Sequence, residues 1–475
     1  MSRFISILIA LCSFEGVFGN APKPILHGFN PDPTICRDGD DYYLVTSSFK
    51  LFPALPVYHS RDLVNWELIS HGVDKRGVLP LDNVGDNDGV WAPSLRKHGS
   101  KWYLSATFWD STAKSGDLKD CTKNFIVTAD HPQGPWSDPV WIKMPSAGVD
   151  PQLFWDDDGS CWILLNGRAK DQSGRFPARH GIWLRRINPE TGVIFGEDIH
   201  LTDGHAVNAK WSEGPHLYKV DGKYYLVHAE GGSGHGFHAC IAQTADRIEG
   251  PYTPCQVNPF LTNRHLGSRA PLRDVGHIDL TDTPDGRWYA VVLGNRFFGP
   301  KRDHCLIGRE TFLTSIEFDN GNIIACDGDG ALVRRPESPV KLQPFPAKPQ
   351  QVYIVKVGER DLHGIKVGDP DFRHVEHVAF ARDEAFAYYR SAKGYFIVEP
   401  RDSDLVLVSR FGDEEKLLFK QELNQQAADI AVEVKSCYVR FFVDGRPFGE
   451  AYDTMPICDN EFNRFNGPIR GILRK

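Results

Sequence analysis

The sequence predicts an all-β chain, a five-bladed β-propeller followed by a C-terminal β-sandwich, and three observations predict it. A short phrase recurs five times at near-constant spacing. Glycine, proline and aromatic residues are abundant, and one proline-rich stretch divides the chain into a long part and a short one.

The recurring phrases are RDGDDYYLV, RKHGSKWYLSA, DDDGSCWILL, KVDGKYYLVHA and TPDGRWYAVV, with turn glycines Gly39, Gly99, Gly159, Gly222 and Gly286 spaced 60, 60, 63 and 64 residues apart. Each is a polar turn, with glycine supplying positive φ, that leads into aromatic and aliphatic residues of high strand propensity. Further strand-like pieces lie between the phrases. They close on a second signal: HSRDLVNW ending at Trp66, TADHPQGPW at Trp136 and TADRIEGPY at Tyr252. A repeat of this length holding several strands is one blade of a radial array, and five copies give a five-bladed propeller over residues 20–335.

Composition agrees with this reading. The chain has 475 residues, 41% of them hydrophobic, which is enough for more than one core. Its 44 glycines, 32 prolines and 12% aromatic content favour short strands and tight turns over long helices. A formal net charge of -8 offers no broad basic surface, so nucleic acid is excluded as a partner and small neutral substrates fit better.

The first 19 residues hold Arg3, an apolar run from Phe4 to Cys12 and small residues up to Gly19, the layout of a secretory signal cleaved near Gly19. A secreted protein is expected, with no membrane-spanning segment after the leader. Cys12 goes with the leader, and the nine remaining cysteines form no C-x-x-C and no cluster, so a zinc site and a dense disulfide frame are not indicated. No N-x-S/T sequon is present. Residues 336–349 contain five prolines and read as a stiff linker. Beyond them, GYFIVEP, DLVLVSRF, DIAVEV and YVRFFVDG read as strands of a β-sandwich over residues 350–475, shorter than a full accessory domain.

A propeller brings loops from every blade to one face of its axis. Asp32 in GFNPDPTI, Asp150 in AGVDPQLFW and Glu213 in WSEGPHLY stand seven to nine residues before their blades' turn glycines, as do Trp91 in VWAPSL and His277 in VGHIDL. Equivalent positions converge on one axial pocket, which then holds three carboxylates, a tryptophan and a histidine. That is the composition of a sugar site, since a flat ring accepts the C–H face of a pyranose while carboxylates handle protons and hydroxyls. Glycosidic cleavage needs a protonated acid at the leaving oxygen and a second carboxylate across from it. Two weaker patterns are read structurally. GDNDGVW, with Asp86 and Asp88, lacks the closing glutamate of a calcium loop and reads as a turn, and EGGSGHGFH reads as a rim loop.

These motifs, with GVWAPSL, GVDPQLFWDDDG, SEGPHLYKVDGKYYL, GHIDLTDTPDGRWY and CLIGRETF in order along the first domain, resemble glycoside hydrolase family 43. The resemblance implies an inverting mechanism with Asp32 as general base, Glu213 as general acid and Asp150 as the group that tunes and orients the acid. It implies substrate contacts from Arg309 in GRET, and from Phe49 and Trp91 at the non-reducing-end subsite. His277 would sit on the axis, where family members sometimes hold a divalent cation through waters; no cofactor is required. The implied activity is exo-acting β-xylosidase or α-L-arabinofuranosidase cleavage of pentose-containing oligosaccharides or hemicellulose. The alternatives are a non-catalytic carbohydrate-binding propeller, an endo-arabinanase and a retaining enzyme of the fructan-cleaving kind.

Overall fold

The computed structural model describes residues 21–113, 121–171, 180–206, 210–234, 236–297, 305, 308–339 and, from Val352 to Tyr452, the strands of the C-terminal part. The leader, most of the proline-rich linker and the stretch after residue 452 lie outside the described residues. No helix among those described is long and apolar enough to cross a membrane.

Five four-stranded antiparallel sheets follow one another along the first domain. Blade one comprises β1 (Thr34–Asp38), β2 (Asp41–Val45), β3 (Ala54–Ser60) and β4 (Glu67–Val73). Blade two comprises β5 (Gly89–His98), β6 (Lys101–Trp109), β7 (Thr122–Ala129) and β8 (Val140–Trp141). Blade three has β9 (Gly148–Trp155), β10 (Cys161–Arg168), β11 (His180–Asn188) and β12 (Val193–Thr202). Blade four has β13 (Ser212–Val220), β14 (Lys223–Glu230), β15 (Ala239–Ala245) and β16 (Thr253–Pro254). Blade five has β17 (Leu272–Asp282), β18 (Trp288–Arg296), β19 (Arg309–Asp319) and β20 (Asn322–Ala325). The first strands β1, β5, β9, β13 and β17 touch in that cyclic order, with β17 returning to β1, so they form the inner ring.

The recurring phrase is the hairpin from each inner strand to the next strand out, and all five of its turn glycines have φ between +59° and +83°. Its run of consecutive apolar residues has a packing reason. Successive side chains of a strand point to opposite faces, and a blade is covered on both. Tyr42 and Leu44 pack with Tyr289 and Val291 of blade five, while Tyr43 and Val45 pack with Trp102 and Leu104 of blade two. The same alternation in β10 and β14 fills the later inter-blade layers. The second signal also has a common geometry: Trp66 and Trp136 donate Nε1–H, and Tyr252 its hydroxyl, to the carbonyls of Leu63, Pro132 and Ile248. Each aromatic thereby closes its own loop.

The ring is locked by the N-terminal segment, which lies along β19: Ile25 N–H donates to the Thr311 carbonyl and Asn30 N–H to that of Arg309, both at 2.9 Å. Deeper along the axis a buried polar network joins four inner strands. Asp279 of β17 accepts Arg96 of β5 at 2.9 Å through both its oxygens, the Thr34 hydroxyl of β1 at 2.6 Å and the Tyr218 hydroxyl of β13. Arg96 also meets His216 Nδ1 at 2.9 Å.

The C-terminal part forms two sheets, of six and of four strands, among the described residues. Phe396, Val398, Leu405 and Leu407 of one sheet and Ile430, Val432 and Phe441 of the other are buried, as expected of a sandwich.

Candidate active site

Four of the inner strands carry a one-residue bulge at the same level. Along β5 the register slips between Trp91 and Ser94, along β13 between Glu213 and His216, and β9 and β17 slip around Asp150 and His277. The residue in the left-handed region is Ala92, Asp150, Gly214 or His277, with Asp32 in the same conformation just ahead of β1. Bulges beside active sites re-aim side chains, and here they refine the equivalence read from spacing. Asp32, Asp150 and His277 occupy the strained position itself. Trp91 and Glu213 stand one residue before it.

Gly214 fills that position in blade four for a steric reason. A Cβ there would meet the His277 ring at 2.8–3.0 Å, at a φ of +57° that also favours glycine. The imidazole of His277 therefore lies flat against the backbone beside Glu213.

A cavity of about 1310 Å³ opens at this end, lined by Asp32, Asp150, Glu213, Phe49, Trp91, His277 and Arg309 among others. Asp32 is held on both oxygens: Ser47 Oγ donates to Oδ2 at 2.7 Å and Arg309 to Oδ1 at 3.0 Å, with His277 Nδ1 at 3.7 Å from Oδ1. Arg309 begins β19 and lies 277 residues from Asp32 in the chain, so closure of the ring brings the pair together. Asp150 accepts Asn166 Nδ2 at 2.9 Å and the Gly214 N–H at 2.8 Å, both on Oδ2, while its own N–H donates to Thr107. Among the described residues Glu213 has no comparable donor, and it keeps 24% of its side chain exposed to the cavity.

These surroundings drive the carboxyls apart. Burial opposes ionisation of Asp32, but Arg309, His277 and the Ser47 hydroxyl outweigh it and hold the group below its ordinary value. Asp150 is pushed up, chiefly by burial, against the pull of His277 and the Gly214 N–H. Glu213 is pushed up to about 8 by burial and then by the charges of Asp150 and Asp32, with Arg309 opposing. One cavity thus presents an ionised carboxylate and a protonated carboxylic acid near neutral pH, the pairing that acid–base chemistry requires.

The walls are aromatic. Phe49 packs between Phe29 and Trp91, with centroids 5.3 and 6.0 Å away, and the Arg309 guanidinium lies 5.1 Å over its ring. Trp91 stacks on Trp109 at 4.9 Å and 13°. Trp109, Trp183, Trp211 and His238 also line the cavity and were not singled out from the sequence. Trp109 and Trp183 sit on second and third strands, and Trp211 and His238 on loops, where no repeated slot marks them. Asp86 and Asp88 line the rim in the turn read from GDNDGVW: Asp88 accepts the Gly85 and Ser111 N–H groups, and Asp86 pairs with Lys50. The glycine-rich stretch after Glu230 contributes Gly232 and Ser233 to the cavity wall. Among the described residues no cluster of three or more His, Cys, Asp or Glu side chains could hold a metal ion.

The profile of glycosyl hydrolases family 43 matches residues 21–323. A xylosidase/arabinosidase of Butyrivibrio fibrisolvens is 39% identical over 314 residues, 66% of this chain and 57% of its own length. Xylosidase/arabinosidase 43B of Humicola insolens is 42% identical over 289 residues, 61% of this chain and 52% of its own. The chain therefore spans little more than half the length of these curated relatives. The crystal structure of xylan beta-1,4-xylosidase from Bacillus halodurans C-125 superposes with a TM-score of 0.78 at 26% identity, covering 92% of each chain. Its likeness extends past the propeller into the sandwich. With the family profile matched across all five blades, the chain belongs to glycosyl hydrolases family 43.

Proposed function

We propose that the protein is an inverting, exo-acting glycosidase that releases xylose or arabinose from the non-reducing ends of pentose-containing oligosaccharides. The observation that carries this reading is the opposed displacement of Asp32 and Glu213 within one aromatic-walled cavity. The names of the relatives, xylosidase and arabinosidase, support the substrate class.

In this reading the terminal sugar lies against Trp91 and Phe49. Glu213 gives its proton to the glycosidic oxygen as the bond from the anomeric carbon to that oxygen breaks. A water molecule forms the new bond to the anomeric carbon from the opposite face, and its proton passes to Asp32. Asp150 takes no proton. Its charge keeps Glu213 loaded, and its bond to the Gly214 N–H fixes the backbone next to the acid. The cycle closes when Asp32 loses its proton to solvent and Glu213 regains one. Arg309, already on Asp32, holds the base ionised and is placed to meet a sugar hydroxyl.

The test is turnover of p-nitrophenyl β-D-xylopyranoside and α-L-arabinofuranoside, with NMR of the first-formed anomer. Inversion is expected, and Asp32→Asn should lower turnover by about 10²–10⁴-fold with the fold intact. Retention of configuration, or near-normal turnover by Asp32→Asn, contradicts the reading. Export is part of the same proposal, supported by the layout of the first 19 residues. N-terminal sequencing of secreted protein checks it, with cleavage near Gly19 expected.

A further inference from the structure

One buried polar atom beside Glu213 has no partner among the described residues. His238 is 1% exposed, its Nε2 makes no hydrogen bond, and the nearest acidic oxygen is Glu213 Oε1, 3.7 Å away. The rest of the residue is fixed. Nδ1 lies 3.1 Å from the backbone carbonyl of Asp274, and the His238 carbonyl accepts the Thr262 hydroxyl at 2.8 Å. The ring fits where it does because residue 276 is glycine: a Cβ on Gly276 would come within 2.4–2.5 Å of three imidazole atoms.

The tautomer follows from the partners. A carbonyl oxygen only accepts, so Nδ1 carries the hydrogen of the neutral ring and Nε2 is left as a bare lone pair. Burial holds the ring neutral near neutral pH, pushing its protonation down to about 4. The lone pair then faces a carboxyl that is itself protonated in the same pH range. An acceptor without a donor and a donor without an acceptor stand opposite each other.

We infer that His238 is a positioning residue whose Nε2 accepts the Glu213 hydroxyl in the free protein, holding the proton on the acid until a glycosidic oxygen replaces the imidazole as acceptor. The gap of 3.7 Å is a small closure away from a hydrogen bond, and such contacts tighten as catalytic complexes form. No bond other than this hydrogen bond is made or broken. The inference rests on Glu213 being the acid. The charged and titratable groups facing Glu213 are Asp150, Asp32 and Arg309, with His238 opposite, and those facing His238 are Asp274, His277 and Asp32.

The test is the pH dependence of His238→Phe. Replacing the imidazole by an apolar ring of similar size would, through burial alone, leave the ionisation of Glu213 unchanged or raise it. Loss of an acceptor for the protonated form lowers it. The alkaline limb of kcat/KM, which reports the free protein, should therefore move down by about half a pH unit or more. The limb of kcat should move less, because bound substrate has already displaced the imidazole. An unmoved or raised kcat/KM limb overturns the inference. In the wild type, ¹⁵N NMR of His238 near neutral pH should show a protonated Nδ1 and a bare Nε2, and a protonated Nε2 overturns it independently of any variant. Glu213→Gln separates the two levels: if it keeps full turnover, the acid assignment and this inference fall together. If it is inactive while the His238→Phe limb stays in place, only this inference falls.

Discussion

The carboxylate of Asp150 accepts the backbone N–H of Gly214 at 2.8 Å, one residue beyond Glu213. The group whose charge raises the proton affinity of Glu213 thus also anchors the strand that carries it. Asp150→Asn keeps the size of the side chain and a carbonyl acceptor for that N–H but removes the charge. Activity that needs protonated Glu213 is present below its folded value of about 8 and lost as pH rises through it. Without the neighbouring charge that value falls, so the alkaline limb of the kcat profile should move to lower pH. A limb that stays in place counts against the role of Asp150.

Arg309 acts on both ends of the profile. Its cation lowers Asp32 and also opposes the rise of Glu213. Arg309→Met should therefore move the acidic and the alkaline limbs upward together, with turnover reduced. Movement of the alkaline limb alone would show that Arg309 does not hold the base ionised. The pH profiles of kcat/KM and kcat check this.

Gly214→Ala places a Cβ against the His277 ring and a non-glycine residue at a φ of +57°. The backbone cost is about 1–2 kcal/mol. Displacement of Glu213 by as little as ~1 Å is enough to cost about 10²-fold in turnover. Activity should thus fall far more than the melting temperature, as measured by thermal unfolding beside kcat/KM. Comparable activity in the variant would mean that the His277–Gly214 contact does not set the position of the acid.

The axial network predicts a stability effect separate from the chemistry. Asp279 is fully buried, and Arg96, the Thr34 hydroxyl and the Tyr218 hydroxyl all meet it. Burial works against its ionisation, yet Arg96 and its other partners hold the carboxyl far below its ordinary value. Asp279→Asn leaves the Arg96 guanidinium without its counter-charge and should cost about 3–5 kcal/mol in denaturant unfolding. Because the folded value is lowered, the stabilisation is present above the ordinary value of 3.8 and is lost as pH falls toward the folded one. The deficit of the variant should accordingly narrow in acid. A constant deficit would mean that the charge is not what matters.

What the sequence made legible was whatever recurs locally. The five hairpin glycines and the apolar pairs after them are short-range patterns, and they locate the blades and, by counting back, Asp32, Asp150 and Glu213. The bulges were not legible. A shift of one residue is invisible in spacings that already vary from seven to nine, so Glu213 and Asp150 read as equivalent although Gly214 is the counterpart of Asp150. The walls were hidden for a different reason. Trp109 and Trp183 belong to second and third strands, and the His238 ring lies beside Glu213 where Gly276, on another blade, leaves room for it. The pairing of Arg309 with Asp32 depends on ring closure, which no local pattern encodes.

The most direct test of the division of labour is a ¹³C NMR titration of the carboxyl carbons of Glu213 and Asp32 in the wild-type protein. Glu213 should lose its proton near pH 8, while Asp32 remains ionised to below 3.8. A Glu213 that ionises in the ordinary range near 4.5, alongside Asp32, would contradict the assignment of acid and base.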